Sequence, residues 1–329
     1  MRGRRRIGPA LAPSGALVQP RPTRPSRRRK AVEAVSVAAD SVASRVVAAN
    51  GVEFHLLEIG AGPLVLCLHG FPDHARSFVP LMRRLAAAGY RVVAPNLRGF
   101  WPTGPAPDGC YLPWATGGDA VALVQGLGVE KAAALVGHDW GAAAAYAAAR
   151  TAPERFARLV AMSVPEGGRV GAAMVADPVQ QKRSWYMYFF QMPIAEAALA
   201  HHDFALVDRL WEDWSPGYAL PAEAREDLKA MFRQPGVPSQ LLAYYRQAFS
   251  PVTARPEWTE RSSALRGPIT VPTLYLHGRD DGCIGPEVSD GMEASFAAGL
   301  TREVIEGGHF LQLERPDLVA DRILAFLEA

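Results

Sequence analysis

Cysteine is scarce: Cys67, Cys110 and Cys283 are the only three in 329 residues. An odd count with no CxxC spacing excludes a disulfide framework and a structural zinc site, and fits a reducing compartment. No 18 apolar residues run together, so no membrane-spanning helix is predicted. Acidic residues are missing from positions 1–30, which carry nine Arg and one Lys. The remainder holds 25 basic against 33 acidic residues, so the overall +2 conceals a body near −8. An acidic body argues against nucleic acid as a partner. The basic segment lacks the apolar core of a secretory signal, since Ile7 to Val18 is broken by Pro9, Pro13 and Gly15. We read residues 1–45 as a basic, disordered leader and the protein as cytoplasmic. No internal repeat is present.

From about residue 46, short apolar runs alternate with helix-like segments. The runs are 64–68, 91–94, 132–136, 157–162 and 271–276. Unbroken apolar strands imply burial on both faces, hence a parallel sheet covered by helices. Helices are predicted near 77–88, 116–127, 140–150, 287–298 and 316–328, the last opening on Pro316. Asn50-Gly51 between alternating residues marks an antiparallel hairpin at 46–58. The alternation stops between 166 and 256, where Trp, Tyr, Phe, Met and Glu dominate. This stretch reads as a helical lid inserted into an α/β core made of residues 46–165 and 257–329. The lid would cover the carboxyl edge of the sheet, where open α/β folds bind ligands.

Three loops after predicted strands carry chemistry. GHDWG at 137–141 sits between a strand and an Ala-rich helix, the context of a nucleophile elbow. Its middle residue is Asp139 rather than Ser. A carboxylate needs no base to activate it and can attack an sp³ carbon, leaving an ester that water must hydrolyse. HGFPD at 69–73 follows the strand 64–68. There the backbone N–H groups of Phe71 and Trp140 would form an oxyanion hole. Pro72 would stiffen the loop, and His69 reads as a buried brace. EGGHF at 306–310 supplies His309, last in chain order, with a pKa near neutrality that suits a general base. HGRDDG at 277–282 supplies its carboxylate partner, with Asp281 favoured over Asp280 by spacing from Gly278.

Together, HGFP at 69–72, GHDWG at 137–141, SWYMYFFQMP at 184–193 and YYR at 244–246 resemble the epoxide hydrolase branch of the α/β-hydrolase superfamily, over residues 46–328. The resemblance implies that Tyr186, seven residues before Pro193, and Tyr245, before Arg246, face the substrate. Paired phenols can hold an epoxide oxygen and protonate the alkoxide as it forms. His69, Pro72, Trp185 and Phe190 complete the expected substrate-binding set, and the aromatic lid suggests a small apolar epoxide that reacts with water. The loop NLRGFWPTGP departs from relatives at Asn96, Trp101 and Thr103. Dehalogenation by the same Asp139, His309 and acid is the rival reading, with the Trp140 indole as halide donor. A non-catalytic ligand-binding protein on the same fold is a further alternative. No cofactor or metal is expected. His201-His202-Asp203 reads as solvated residues of a lid helix.

Overall fold

The computed structural model describes residues 41–250 and 255–329. The leader up to residue 40 lies outside the described residues. Asn50 and Gly51 both adopt positive φ, 47° and 76°, as a type I′ turn requires. They join β1 (Ala43–Ala49) to β2 (Val52–Ile59) antiparallel. The first described strand begins at Ala43, three residues before the boundary read from the sequence.

Six further strands follow: β3 (Leu64–Leu68), β4 (Arg91–Pro95), β5 (Ala134–His138), β6 (Leu159–Met162), β7 (Thr273–Gly278) and β8 (Leu300–Ile305). The sheet order is β1-β2-β4-β3-β5-β6-β7-β8. Every pairing from β4 to β8 is parallel. All five residues of β3 and of β5 are buried, because helices cover both faces. On one face lie α1 (Val79–Ala87) and the final helix; on the other lie α2 (Pro113–Gly126) and α3 (Trp140–Thr151). This is the α/β-hydrolase fold expected from the sequence.

Between β6 and β7 the described residues form seven helices: α4 (Arg169–Ala176), α5 (Pro178–Arg183), α6 (Trp185–Phe189), α7 (Ala195–Trp214), α8 (Ala222–Phe232), α9 (Val237–Phe249) and α10 (Pro256–Ala264). The helical stretch thus extends beyond residue 256. After β8 come α11 (Leu311–Glu314) and α12 (Pro316–Glu328).

Two local expectations are corrected. Residues 287–298 form not a helix but two 3₁₀ turns, Pro286–Ser289 and Met292–Ser295. Gly291 between them takes φ 73°, a left-handed conformation that stops a helix. His201, His202 and Asp203 do not sit in regular helix. His202, Asp203 and Phe204 all have positive φ and break α7, while Asp203 pairs with Arg233, the residue after α8.

The loop after β4 is held by a buried ion pair. Arg98, 1% exposed, donates to both carboxylate oxygens of Asp119 at 2.6 and 2.5 Å and to the Cys110 carbonyl at 2.7 Å. The Arg98 carbonyl in turn accepts from the Tyr244 hydroxyl of α9. Two of the departures from relatives have structural work here. The Asn96 side chain accepts from the Ala75 N–H, and the Thr103 hydroxyl accepts from the His55 N–H. Arg98→Ala leaves Asp119 buried without its counter-ion and should cost about 3–5 kcal/mol of unfolding free energy by urea denaturation. A loss below about 1 kcal/mol would contradict the importance given to this pair.

Candidate active site

The sheet delivers four loops to one edge, at the carboxyl ends of β3, β5, β7 and β8. Asp139, between β5 and α3, has φ 54° and ψ −120°, a strained backbone for a residue with a side chain. The turn is possible because Gly141 lies against the carbonyls of Leu68 and His69, where a Cβ would collide. Gly70 faces the Asp139 side chain equally closely, so a Cβ there would occupy the space of the carboxylate. The result is a carboxylate that is 5% exposed and held above the sheet edge.

Asp139 Oδ1 accepts from the Phe71 N–H at 2.7 Å. Its Oδ2 lies 3.7 Å from His309 Nε2, which has no hydrogen-bond partner among the described residues. The other ring nitrogen, Nδ1, meets Asp281 Oδ2 at 2.8 Å. Asp281 Oδ1 accepts from the N–H groups of Cys283 and Ile284 at 2.7 and 2.9 Å. Asp280 is exposed and stands aside. Burial favours the neutral Asp281 carboxyl, yet His309 and His277 outweigh it and hold the group well below the usual carboxylate range. Burial also opposes the His309 charge, but Asp281 and Asp139 overcome it and raise the imidazole to about 10.

Tyr186 and Tyr245 are both fully buried, their rings 5.6 Å apart and edge to face. Burial raises both phenols well above their ordinary value, with Cys283 the next contributor at Tyr186 and Asp139 at Tyr245. They stay protonated and can donate. The Tyr245 hydroxyl has no partner among the described residues, whereas the Tyr186 hydroxyl meets Cys283 Sγ at 3.3 Å. The Trp140 indole N–H is likewise buried and unpartnered. A cavity of about 520 Å³ opens on Asp139, Trp140, Met187 and Tyr245.

The other predicted contacts divide. Phe190 is buried among Phe71, Tyr186 and Tyr245. Pro72 belongs to the scaffold, its carbonyl accepting from the Trp211 indole at 2.9 Å. His69 does not offer a ring nitrogen to a ligand. Its Nδ1 pairs with the Gly70 carbonyl and its Nε2 accepts from the Leu97 N–H, and burial lowers it to about 3. Trp185 is 39% exposed and packs on Phe189, because its place on α6 turns it away from the buried Tyr186.

Several supporting residues had no sequence signal. Ser215, at the end of α7, accepts from the His309 N–H at 3.1 Å and donates to Glu314 at 2.5 Å. The His138 ring packs on His309 and pairs with its carbonyl at 2.8 Å. Gln312 lies between His138 and Asp73. Among the described residues, Asp281, Cys283 and His309 bring possible metal-ligand atoms within 4.8 Å. Those atoms are already occupied with one another and with Tyr186.

A carboxylate on an elbow, a carboxylate-held imidazole and a cavity at the sheet edge define an α/β hydrolase. The family described as "alpha/beta hydrolase fold" matches residues 63–316. An epoxide hydrolase of Caballeronia sordidicola is 32% identical, covering 85% of this chain and 92% of its own. Mouse epoxide hydrolase 4 is 31% identical, covering 85% of this chain and 77% of its own. The crystal structure of a Vigna radiata epoxide hydrolase superposes with a TM-score of 0.74 at 27% identity, covering 88% of this chain and 99% of that one. The chain belongs to the epoxide hydrolase branch of the α/β-hydrolase family.

The raised His309 has a consequence for stability. A free imidazole titrates near ~6.5 and the folded one near about 10. The charged His309 therefore contributes fully below the lower value and is lost as pH climbs through the higher. His309→Gln should flatten the decline of unfolding free energy across that window. An equal decline in both proteins would remove His309 as its source.

Proposed function

We propose that the protein hydrolyses an apolar epoxide to a vicinal diol through an ester on Asp139. The observation that carries this reading is the meeting, at one cavity end, of an attacking carboxylate, a carboxylate-held imidazole and a buried phenol with no other partner. The phenols of Tyr245 and Tyr186 hold the ring oxygen. Asp139 Oδ2 bonds to a ring carbon as that carbon's bond to oxygen breaks, and a phenol donates its proton to the leaving oxygen. Oδ1 stays on the Phe71 N–H.

Esterification removes the negative charge beside His309. That lowers its proton affinity, so the proton it held passes to the phenolate left by ring opening, and the neutral imidazole serves as the base for the second step. His309 takes a proton from water as the water oxygen bonds to Asp139 Cγ. The oxyanion rests on the N–H groups of Phe71 and Trp140, where each such donor is worth roughly 2.7–4 kcal/mol. The ester's alkyl oxygen then leaves with the proton from His309, releasing the diol, and the acid proton left on Asp139 passes to His309, which restores the starting charges. The helices between β6 and β7 act as the cap that keeps bulk water out. Three buried free thiols support a cytoplasmic setting. No helix among the described residues is long and apolar enough to cross a membrane.

The unpartnered Trp140 indole N–H favours one second reading, dehalogenation, because it could receive a halide. Parallel assays for diol and for free halide separate the two.

In His309→Gln, one equivalent of epoxide should be consumed in a burst, leaving a stable adduct on the Asp139 peptide by mass spectrometry. Unchanged steady-state turnover would remove His309 from the second step. Tyr186→Phe combined with Tyr245→Phe should slow ester formation by about 10²-fold or more in single-turnover kinetics, beyond either change alone. Near wild-type ester formation by the double variant would remove the phenols from ring opening.

A further inference from the structure

The cavity that opens on Asp139 runs along α3. From α3 and its cap residue it is lined by Asp139, Trp140, Ala143, Tyr146, Ala147 and Arg150. These positions recur at helical spacing and make one face of α3. At the rise of an α-helix, Asp139 to Arg150 spans about 16 Å. Ala143 is the half-buried position one turn beyond the nucleophile, and its small side chain leaves the space above the helix open.

The Phe71 side of Asp139 is closed. Phe71 packs edge to face on Phe190 and Phe232, with centroids 5.5 and 5.9 Å apart, and tilts against Trp214 at 6.5 Å. All four are at most 1% exposed, and none of them lines the cavity. An epoxide whose two carbons both carried long chains would have to drive one through this wall. Displacing close-packed aromatic rings costs far more than burying a chain end gains.

The far end sets a second condition. Arg150 donates to the Gly267 carbonyl at 2.7 Å and is ion-paired with Glu166, both partners largely buried. Its charge is already matched, so a carboxylate on a substrate tail would meet a neutral pair with an acid in it.

We infer that the substrate is a terminal epoxide with one extended, uncharged tail lying along α3. This rests on the epoxide reading above and adds to it the position of the ring and the course of the chain.

The full-length enzyme can be assayed with a straight-chain terminal epoxide, a short terminal epoxide and the mid-chain epoxide of the same long alkane. The long terminal epoxide should exceed its mid-chain isomer in kcat/KM by about tenfold or more. Ala143→Trp should lower the long-to-short ratio among terminal epoxides by about tenfold. Ala143→Leu should lower it less, and thermal melts show whether each variant is folded. Diol formed equally well from both isomers, or a length preference untouched by folded Ala143 variants, overturns this inference alone. No diol from any of the three overturns the epoxide reading and this inference with it.

Discussion

A left-handed backbone at Asp139 is the constraint on which the rest of the site depends. That conformation lifts the carboxylate off the sheet edge and toward His309 and the Phe71 N–H. It survives because Gly141 and Gly70 leave room that no side chain could share. The cost of such strain is on the order of 1–3 kcal/mol. The packed strands beneath it, buried on both faces, hold the turn in place.

Charge links the two chemical steps. His309 lies between two carboxylates, one bonded at 2.8 Å and one 3.7 Å away. The two acidic neighbours hold its proton strongly. In the proposed cycle, Asp139 becomes a neutral ester just when a base is needed. The same residue thus forms the intermediate and, by losing its charge, readies the group that destroys it. Asp281 holds the imidazole by its Nδ1 and is itself anchored by the N–H groups of Cys283 and Ile284.

Local signals in the sequence read well where a single loop defines its own geometry. The Asn50-Gly51 turn, the elbow at 137–141 and the strand 64–68 all have short-range causes. Asp281 could be chosen over Asp280 by spacing alone. Tyr186 and Tyr245 came only through resemblance, because nothing in an aromatic-rich helix says which ring faces inward; Trp185 beside Tyr186 illustrates the difficulty. The failures are mostly long-range or backbone effects. Gly291 splits an apparent helix at 287–298, and the break at His202 to Phe204 interrupts an apparently regular one. Ser215 and Gln312 act on His309 and His138 across stretches of about 90 residues and more, a proximity that exists only after the sheet has formed.

The proposed mechanism requires a bond between carbon and Asp139. Turnover of an excess of epoxide in ¹⁸O water, followed by mass analysis of the peptide holding Asp139, tests this most directly. Water attacking the ester carbonyl leaves its oxygen in the side chain, so label should accumulate in Asp139. Diol carrying the heavy oxygen with an unlabelled Asp139 would mean that water attacks the epoxide itself, and the covalent mechanism would be wrong.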